Sequence, residues 1–252
     1  SGPPLPGPPA PAHAAPPRPS PPATRTPPGP SAAASATGPT GVHAPTQHSR
    51  TDPTTDSNEI TANTEINTVV ITTRHNSHAK FVCQALGAGK HVFVEKPLAL
   101  TRDELNQIDE TYRSPASQTD APLLMVGFNR RFAPHVQKIK SLISGIREPK
   151  SFVMTVNAGA IPADHWAQDK TIGGGRIIGE GCHFVDLLRF LVDAPIVSTQ
   201  AMMMGQADGV SIRDDKVSIL MSFEDGSFGT VHYLANGHKG FPKERLEVYC
   251  AG

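Results

Sequence analysis

The chain has 252 residues with 23 basic and 23 acidic side chains, so its formal net charge is zero. No basic stripe runs along it, which argues against a nucleic-acid partner, and no apolar run approaches about 18 residues, which argues against a membrane-spanning helix. Cys83, Cys182 and Cys250 are odd in number and far apart, a pattern that suits a reducing cytoplasm better than a disulfide framework or a zinc site.

The composition is uneven. Seventeen of the 25 prolines precede Thr54, mixed with Ala, Ser, Thr and Gly, and Leu5 and Val42 are almost the only large apolar residues there. Too little surface can be buried to offset the ordering entropy, so residues 1–57 predict a disordered arm with local polyproline II character. The arm has no apolar h-region and is not a signal peptide. Arg18, Arg25 and Arg50 precede the first acid, Asp52; that fits a transit peptide, with a linker or non-native leader as the plainer reading.

From residue 58 the pattern becomes that of a folded domain. Val69 to Thr73 is β-branched throughout, as in a parallel strand covered on both faces. Ser77 to Gly89 reads as a helix, with Ser77 as its cap and Ala79, Val82, Cys83 and Leu86 as its apolar face. His91 to Val94 is a second strand and Leu123 to Gly127 a third. Between them Thr101-Arg102-Asp103-Glu104 forms a capping box that opens a helix through about Tyr112. Alternating strands and helices with short turns make a parallel sheet, half of a doubly wound nucleotide-binding domain.

The second half changes character. Ser151 to Asn157, Val197 to Met204, Lys216 to Phe223, Phe228 to Leu234 and Arg245 to Tyr249 read as strands. Glu224-Asp225-Gly226-Ser227 is a hairpin turn. One helix, from about Glu180 to Val192, follows Gly173-Gly174-Gly175. The fold class is therefore α/β plus α+β: an arm over 1–57, a partial dinucleotide-binding domain over 58–134, and a mostly antiparallel sheet domain over 135–252.

Lys96 is the most informative residue, in the run Lys90-His91-Val92-Phe93-Val94-Glu95-Lys96-Pro97. It stands at the carboxyl end of a predicted parallel strand, where open α/β sheets bind ligands. A lysine there can be tuned for proton chemistry by burial. Ordered motifs surround it: Thr72-Thr73-x4-His78, Ala88-Gly89-Lys90-His91-Val92, Gly127-Phe128-Asn129-Arg130-Arg131-Phe132, and Cys182-His183-Phe184-Val185-Asp186 beyond the triple glycine. With these motifs in this order, residues 58–252 resemble the glucose–fructose oxidoreductase, inositol dehydrogenase and MocA family.

The resemblance implies an oxidoreductase using NAD or NADP on a hydroxyl carbon of a sugar, cyclitol or nucleotide-sugar. It implies catalysis by Lys96, which holds and polarises the hydroxyl, and by His183, which exchanges its proton. Cofactor contacts fall on Thr72, Thr73, His78, Glu95, Lys96, Pro97 (after a cis peptide) and Asn129. Arg130, Trp166, Glu180 and Asp186 are the substrate-side candidates, and no metal is implied. Glu180 at i, i+3 is expected to orient His183, while Asp186 either binds substrate or pairs with Arg189. Trp166 offers a stacking platform for a ring, or a core side chain.

Two departures accompany the resemblance. No G-x-G-x-x-G turn follows a strand before residue 58, and Gly179 stands where many relatives carry aspartate. The chain opens on Ser1 and closes on a strand-like segment, so an incomplete dehydrogenase is expected. Two other readings remain open: a catalytically silent remnant that binds sugars or a protein, and a proline-rich arm that binds aromatic-lined peptide grooves. A homodimer through the second sheet is expected by resemblance.

Overall fold

The computed structural model describes residues 31–34, 51–114, 121–209 and 212–252. Most of the arm expected over 1–57 lies outside those residues. Within it, β1 (Ser31–Ala34) and β2 (Thr51–Thr54) pair in parallel, so these two segments carry ladder hydrogen bonds rather than free polyproline II. A short helix α1 (Ser57–Ala62) follows, capped by Asp56, whose carboxylate accepts from the Asn58 N–H.

The next three strands, β3 (Thr68–Ile71), β4 (His91–Val94) and β5 (Leu124–Val126), form an all-parallel sheet in the order 3-4-5. Helices α2 (His78–Gly87) and α3 (Arg102–Tyr112) make the crossovers. Successive right-handed crossovers running the same way across a sheet place their helices on one face. Val82, Ala85 and Leu86 of α2 and Ile108 of α3 accordingly pack on Ile71, Val92 and Val94. The opposite face stays open, with Val70 64% and Met125 47% exposed. This corrects the expectation of a strand covered on both sides, because among the described residues no reversal of strand order sends a helix to the second face.

Helix ends followed the capping chemistry in part. Thr101 and Glu104 form the reciprocal capping box at α3. Ser77 does not cap α2. Its hydroxyl instead donates to the Arg74 carbonyl at 2.8 Å within a 3-10 turn over His75–Ser77. The side chain competes locally for backbone acceptors, a common habit of serine near turns.

The second sheet has the order β10-β6-β9-β8-β7, from β6 (Ser151–Asn157), β7 (Ile196–Met203), β8 (Lys216–Phe223), β9 (Phe228–Leu234) and β10 (Glu244–Tyr249). Only the β6–β9 pair is parallel. Period-2 alternation sends Phe152, Met154 and Val156 of β6 inward with Val231 and Tyr233 of β9. They meet α5 (Cys182–Val192), which buries Phe184, Leu187, Leu188 and Leu191. Each such side chain contributes about 1.5–3 kcal/mol on full burial, so α5 is firmly seated and its first turn, which carries His183, is a rigid platform. A further helix, α4 (Pro134–Ile143), packs Val136 and Ile143 on the same core. It was not assigned from the sequence, although Pro134 at its first turn is a start signal and Val136, Ile139 and Ile143 recur at helical spacing. No helix among the described residues is long and apolar enough to cross a membrane.

Candidate active site

The carboxyl ends of β3, β4 and β5 present Thr72–Thr73, Glu95–Lys96 and Phe128–Asn129 side by side. The peptide between Lys96 and Pro97 is cis, as the resemblance implied. His78 is fully buried. Its Nδ1 lies 2.7 Å from the Pro97 carbonyl and its Nε2 2.9 Å from the Thr73 carbonyl. It therefore ties the loop after β3 to the turn that carries Lys96, and acts on the site through those backbone segments rather than by its own contact. Thr72, Thr73 and Asn129 are exposed at the crevice, while Glu95 is half-buried with its carboxylate packed on Gly127.

Above this edge, a cavity of about 260 Å³ is walled by Lys96, His183, Trp166, Glu180, Arg130 and Arg176. Lys96 enters from the parallel sheet and His183 from α5, so the two expected catalytic groups share one space although 87 positions separate them. The ammonium of Lys96 donates to the Gly179 carbonyl at 2.7 Å. Trp166 is placed by the triple glycine: a Cβ on Gly173 would lie 2.5 Å from the Ala167 Cα, and Gly174 and Gly175 both have positive φ. Only glycine allows that close backbone approach and that left-handed path.

Glu180 does not orient His183. Its carboxylate accepts from Arg176 at 2.8 Å and from the Tyr233 hydroxyl at 2.5 Å, and lies 3.5 Å from Lys243. The cause is local geometry: residues Ile177–Gly181 form a π turn, so the i, i+3 spacing of a regular α-helix does not apply across it. Burial alone would raise the Glu180 pKa, but the hydrogen bonds from Tyr233 and Arg176, with the charges of Arg176 and Lys243, together hold it below the ordinary range. Burial and Glu180 push the Tyr233 hydroxyl the other way, keeping it a donor.

Asp186 also departs from expectation. It pairs with Arg131, whose Nε donates at 2.7 Å, and not with Arg189. It lines a neighbouring apolar groove rather than the cavity. Arg130 reaches the cavity while paired with Glu244 on β10 and stacked over Phe184 at 4.6 Å.

Three residues not singled out from the sequence shape the cavity, His75 and Arg176 as part of its wall. His75 packs edge-on against Trp166 at 4.9 Å, and its Nδ1 lies 2.8 Å from the Gly173 carbonyl. Arg176 donates to the Gly159 and Ala158 carbonyls as well as to Glu180. Tyr233 is fully buried and acts from behind the wall, through its hydrogen bond to Glu180. His75 had a usable signal, its place in the loop after a parallel strand; Tyr233 had none, being one inward residue of an ordinary strand.

His183 is 6% exposed, and its Nδ1 is buried without a hydrogen-bond partner. Burial first, and then the positive charges of Arg130 and Lys96, lower its pKa to about 4. An unfolded histidine titrates near 6.5, so between pH 6.5 and 4 the unfolded chain binds more protons than the folded one. Stability attributable to His183 is therefore intact above about pH 6.5 and falls as the pH drops toward 4. Urea denaturation across this window is expected to show that loss in the parent and a smaller one in His183→Gln; identical pH profiles would contradict the assignment.

Comparison with known proteins fits this geometry. A family model described as "Oxidoreductase family, NAD-binding Rossmann fold" matches residues 30–119, and the GFO/IDH/MocA C-terminal domain matches residues 136–252. The inositol 2-dehydrogenase of Rhizobium meliloti is 30% identical over 196 residues, covering 75% of this chain and 56% of that protein. The 1-carboxy-3-chloro-3,4-dihydroxycyclohexa-1,5-diene dehydrogenase of Comamonas testosteroni is 27% identical over 187 residues, covering 73% and 46%. A levoglucosan dehydrogenase solved with NADH and levoglucosan superimposes with a TM-score of 0.72 at 25% identity, covering 87% of this chain and 61% of that one. The chain spans about half the length of the curated relatives it matches.

Proposed function

Because this chain belongs to the GFO/IDH/MocA family of NAD-binding oxidoreductases, we propose that it takes part in hydride transfer between a nicotinamide cofactor and a hydroxyl-bearing carbon of a single-ring polyol. The observation that carries this reading is the meeting of Lys96 and His183 in one cavity of about 260 Å³. Pockets for drug-sized ligands run from about 300 to 1,000 Å³, so the space suits one ring and is small for a nucleotide-sugar. Related dehydrogenases are named for inositol and levoglucosan, both ring polyols or their anhydrides.

The residues present fit the nicotinamide end of the cofactor. The polar edge formed by Thr72, Thr73, Glu95 and Asn129 at the ends of three parallel strands is the crevice in which such sheets hold dinucleotides. Bound nicotinamide would supply the carbon that accepts or returns the hydride. The chain does the rest. Lys96 has two N–H donors left after Gly179, and one of them holds and polarises the reacting hydroxyl. His183 is neutral at physiological pH, and its accessible Nε2 takes the hydroxyl proton as the carbonyl forms. Trp166, braced edge-on by His75, supplies an aromatic face that orients the ring and excludes water.

Two copies would pair through the outward face of the second sheet, where Val197, Met202 and Phe228 are exposed. A second reading, ring binding without turnover, is favoured by the open face of the three-stranded sheet. Calorimetric titration with NADH and NADPH, followed by assay with myo-inositol and glucose, separates them. Micromolar cofactor binding with turnover is the expected result. Binding of neither cofactor by folded protein would leave only the second reading.

A further inference from the structure

The charges around the cavity do not balance. Counting the charged side chains that line it or pair with those that do, four cations (Lys96, Arg130, Arg176 and Lys243) face two carboxylates, Glu180 and Glu244. Glu180 is engaged by Arg176, Tyr233 and Lys243. Arg130 is matched by both oxygens of Glu244. Among the described residues Lys96 forms no ion pair, and its acceptor is a neutral backbone carbonyl.

Nothing in the adjoining wall can supply the missing charge. Gly179 has no side chain, and a Cβ there would lie 3.0 Å from the His75 ring and 3.2 Å from the Gly173 carbonyl. His75 and His183 have no anionic form to offer, and burial first and then the nearby positive charges lower the pKa of each. An ammonium with two open donors in a partly desolvated cavity attracts an anion far more strongly than a solvated surface lysine does.

Resting on the ring-polyol reading above, we propose that the substrate is a ring hydroxy-acid, a pyranose or carbocycle bearing one carboxylate, and that Lys96 reads that carboxylate. One of its free N–H groups meets the reacting hydroxyl and the other meets the carboxylate. The cavity volume confines the acid group to the same ring, within reach of both donors. The substrate anion also offsets the positive field on His183, so the base gains proton affinity only when the correct ligand is present.

Trp166 is the one tryptophan in the chain and lines the cavity, so its fluorescence reports occupancy directly. The full chain is titrated with glucuronate, glucose, myo-inositol and acetate. Glucuronate is expected to half-saturate the response at a concentration at least tenfold below that of glucose, with no response to acetate over that range. The preference should fall to within about twofold in Lys96→Met and persist in Lys96→Arg. Equal responses to glucuronate and glucose, an undiminished preference in Lys96→Met, or an acetate response matching that of glucuronate would each overturn the proposal while leaving ring binding intact. No response to any ring by folded protein would overturn both this proposal and the ring-polyol reading beneath it.

Discussion

On the proposed reading, replacing Lys96 by methionine is expected to lower kcat for the preferred ring substrate by roughly 10²–10⁴-fold, the range lost when a positioned proton-handling group is removed. In the proposed arrangement the ammonium donates to the reacting hydroxyl, and among the described residues its hydrogen bond is to the Gly179 carbonyl rather than to another side chain. Arginine at the same position keeps the charge but spreads it over a planar fork on a longer stem, so Lys96→Arg restores binding better than turnover. Steady-state NADH formation at saturating cofactor checks this. A rise in KM with kcat unchanged would show that Lys96 only holds the substrate.

Arg176→Met is the most destabilising single change expected outside the apolar core. The guanidinium is 7% exposed, bonds the Gly159 and Ala158 carbonyls, and supplies a principal charge beside Glu180. Breaking a buried ion pair from one side costs about 3–5 kcal/mol. The lower end applies here because the Glu180 side chain keeps 24% exposure. The acid dependence shifts as well. With its folded pKa held low, Glu180 contributes stability above the ordinary carboxylate range and loses it as pH falls through its folded value. Without Arg176, burial regains ground and the folded pKa rises toward the unfolded one, so the loss of stability on acidification becomes smaller than in the parent. Urea denaturation between pH 7 and pH 3 measures both effects, and a variant as stable as the parent would remove Arg176 from this role.

Much of this was legible in the sequence because it rests on short-range rules. The capping box at Thr101, the alternation of Ser151 to Asn157 and the β-branched run before Thr72 each encode an element through residues only a few positions apart. Lys96 and His183 were found by motif order, and the structure brings them into one cavity. What escaped depends on partners far along the chain. Glu180 looked like the orienter of His183 until Tyr233, 53 positions away, and Lys243 were seen to hold it. Asp186 was weighed against Arg189 on its own helix, whereas Arg131 reaches it from the turn before α4, 55 positions away. The exposed second face of the parallel sheet was invisible for a related reason: strand composition reports what could be covered, and only strand order decides what is.

The π turn at Ile177–Gly181 adds a constraint on length to those on the identity of Gly179 and Glu180. Deleting any one of its five residues would permit a regular α-helix and relieve the local irregularity. It would also rotate everything before Cys182 by about 100° relative to His183, since each α-helical residue turns by that angle. The Gly179 carbonyl would leave Lys96 and the Glu180 carboxylate would leave Tyr233. A descendant that loses one residue of this segment loses the site in a single step, so a fixed count of residues between Arg176 and His183 is the trace selection should leave.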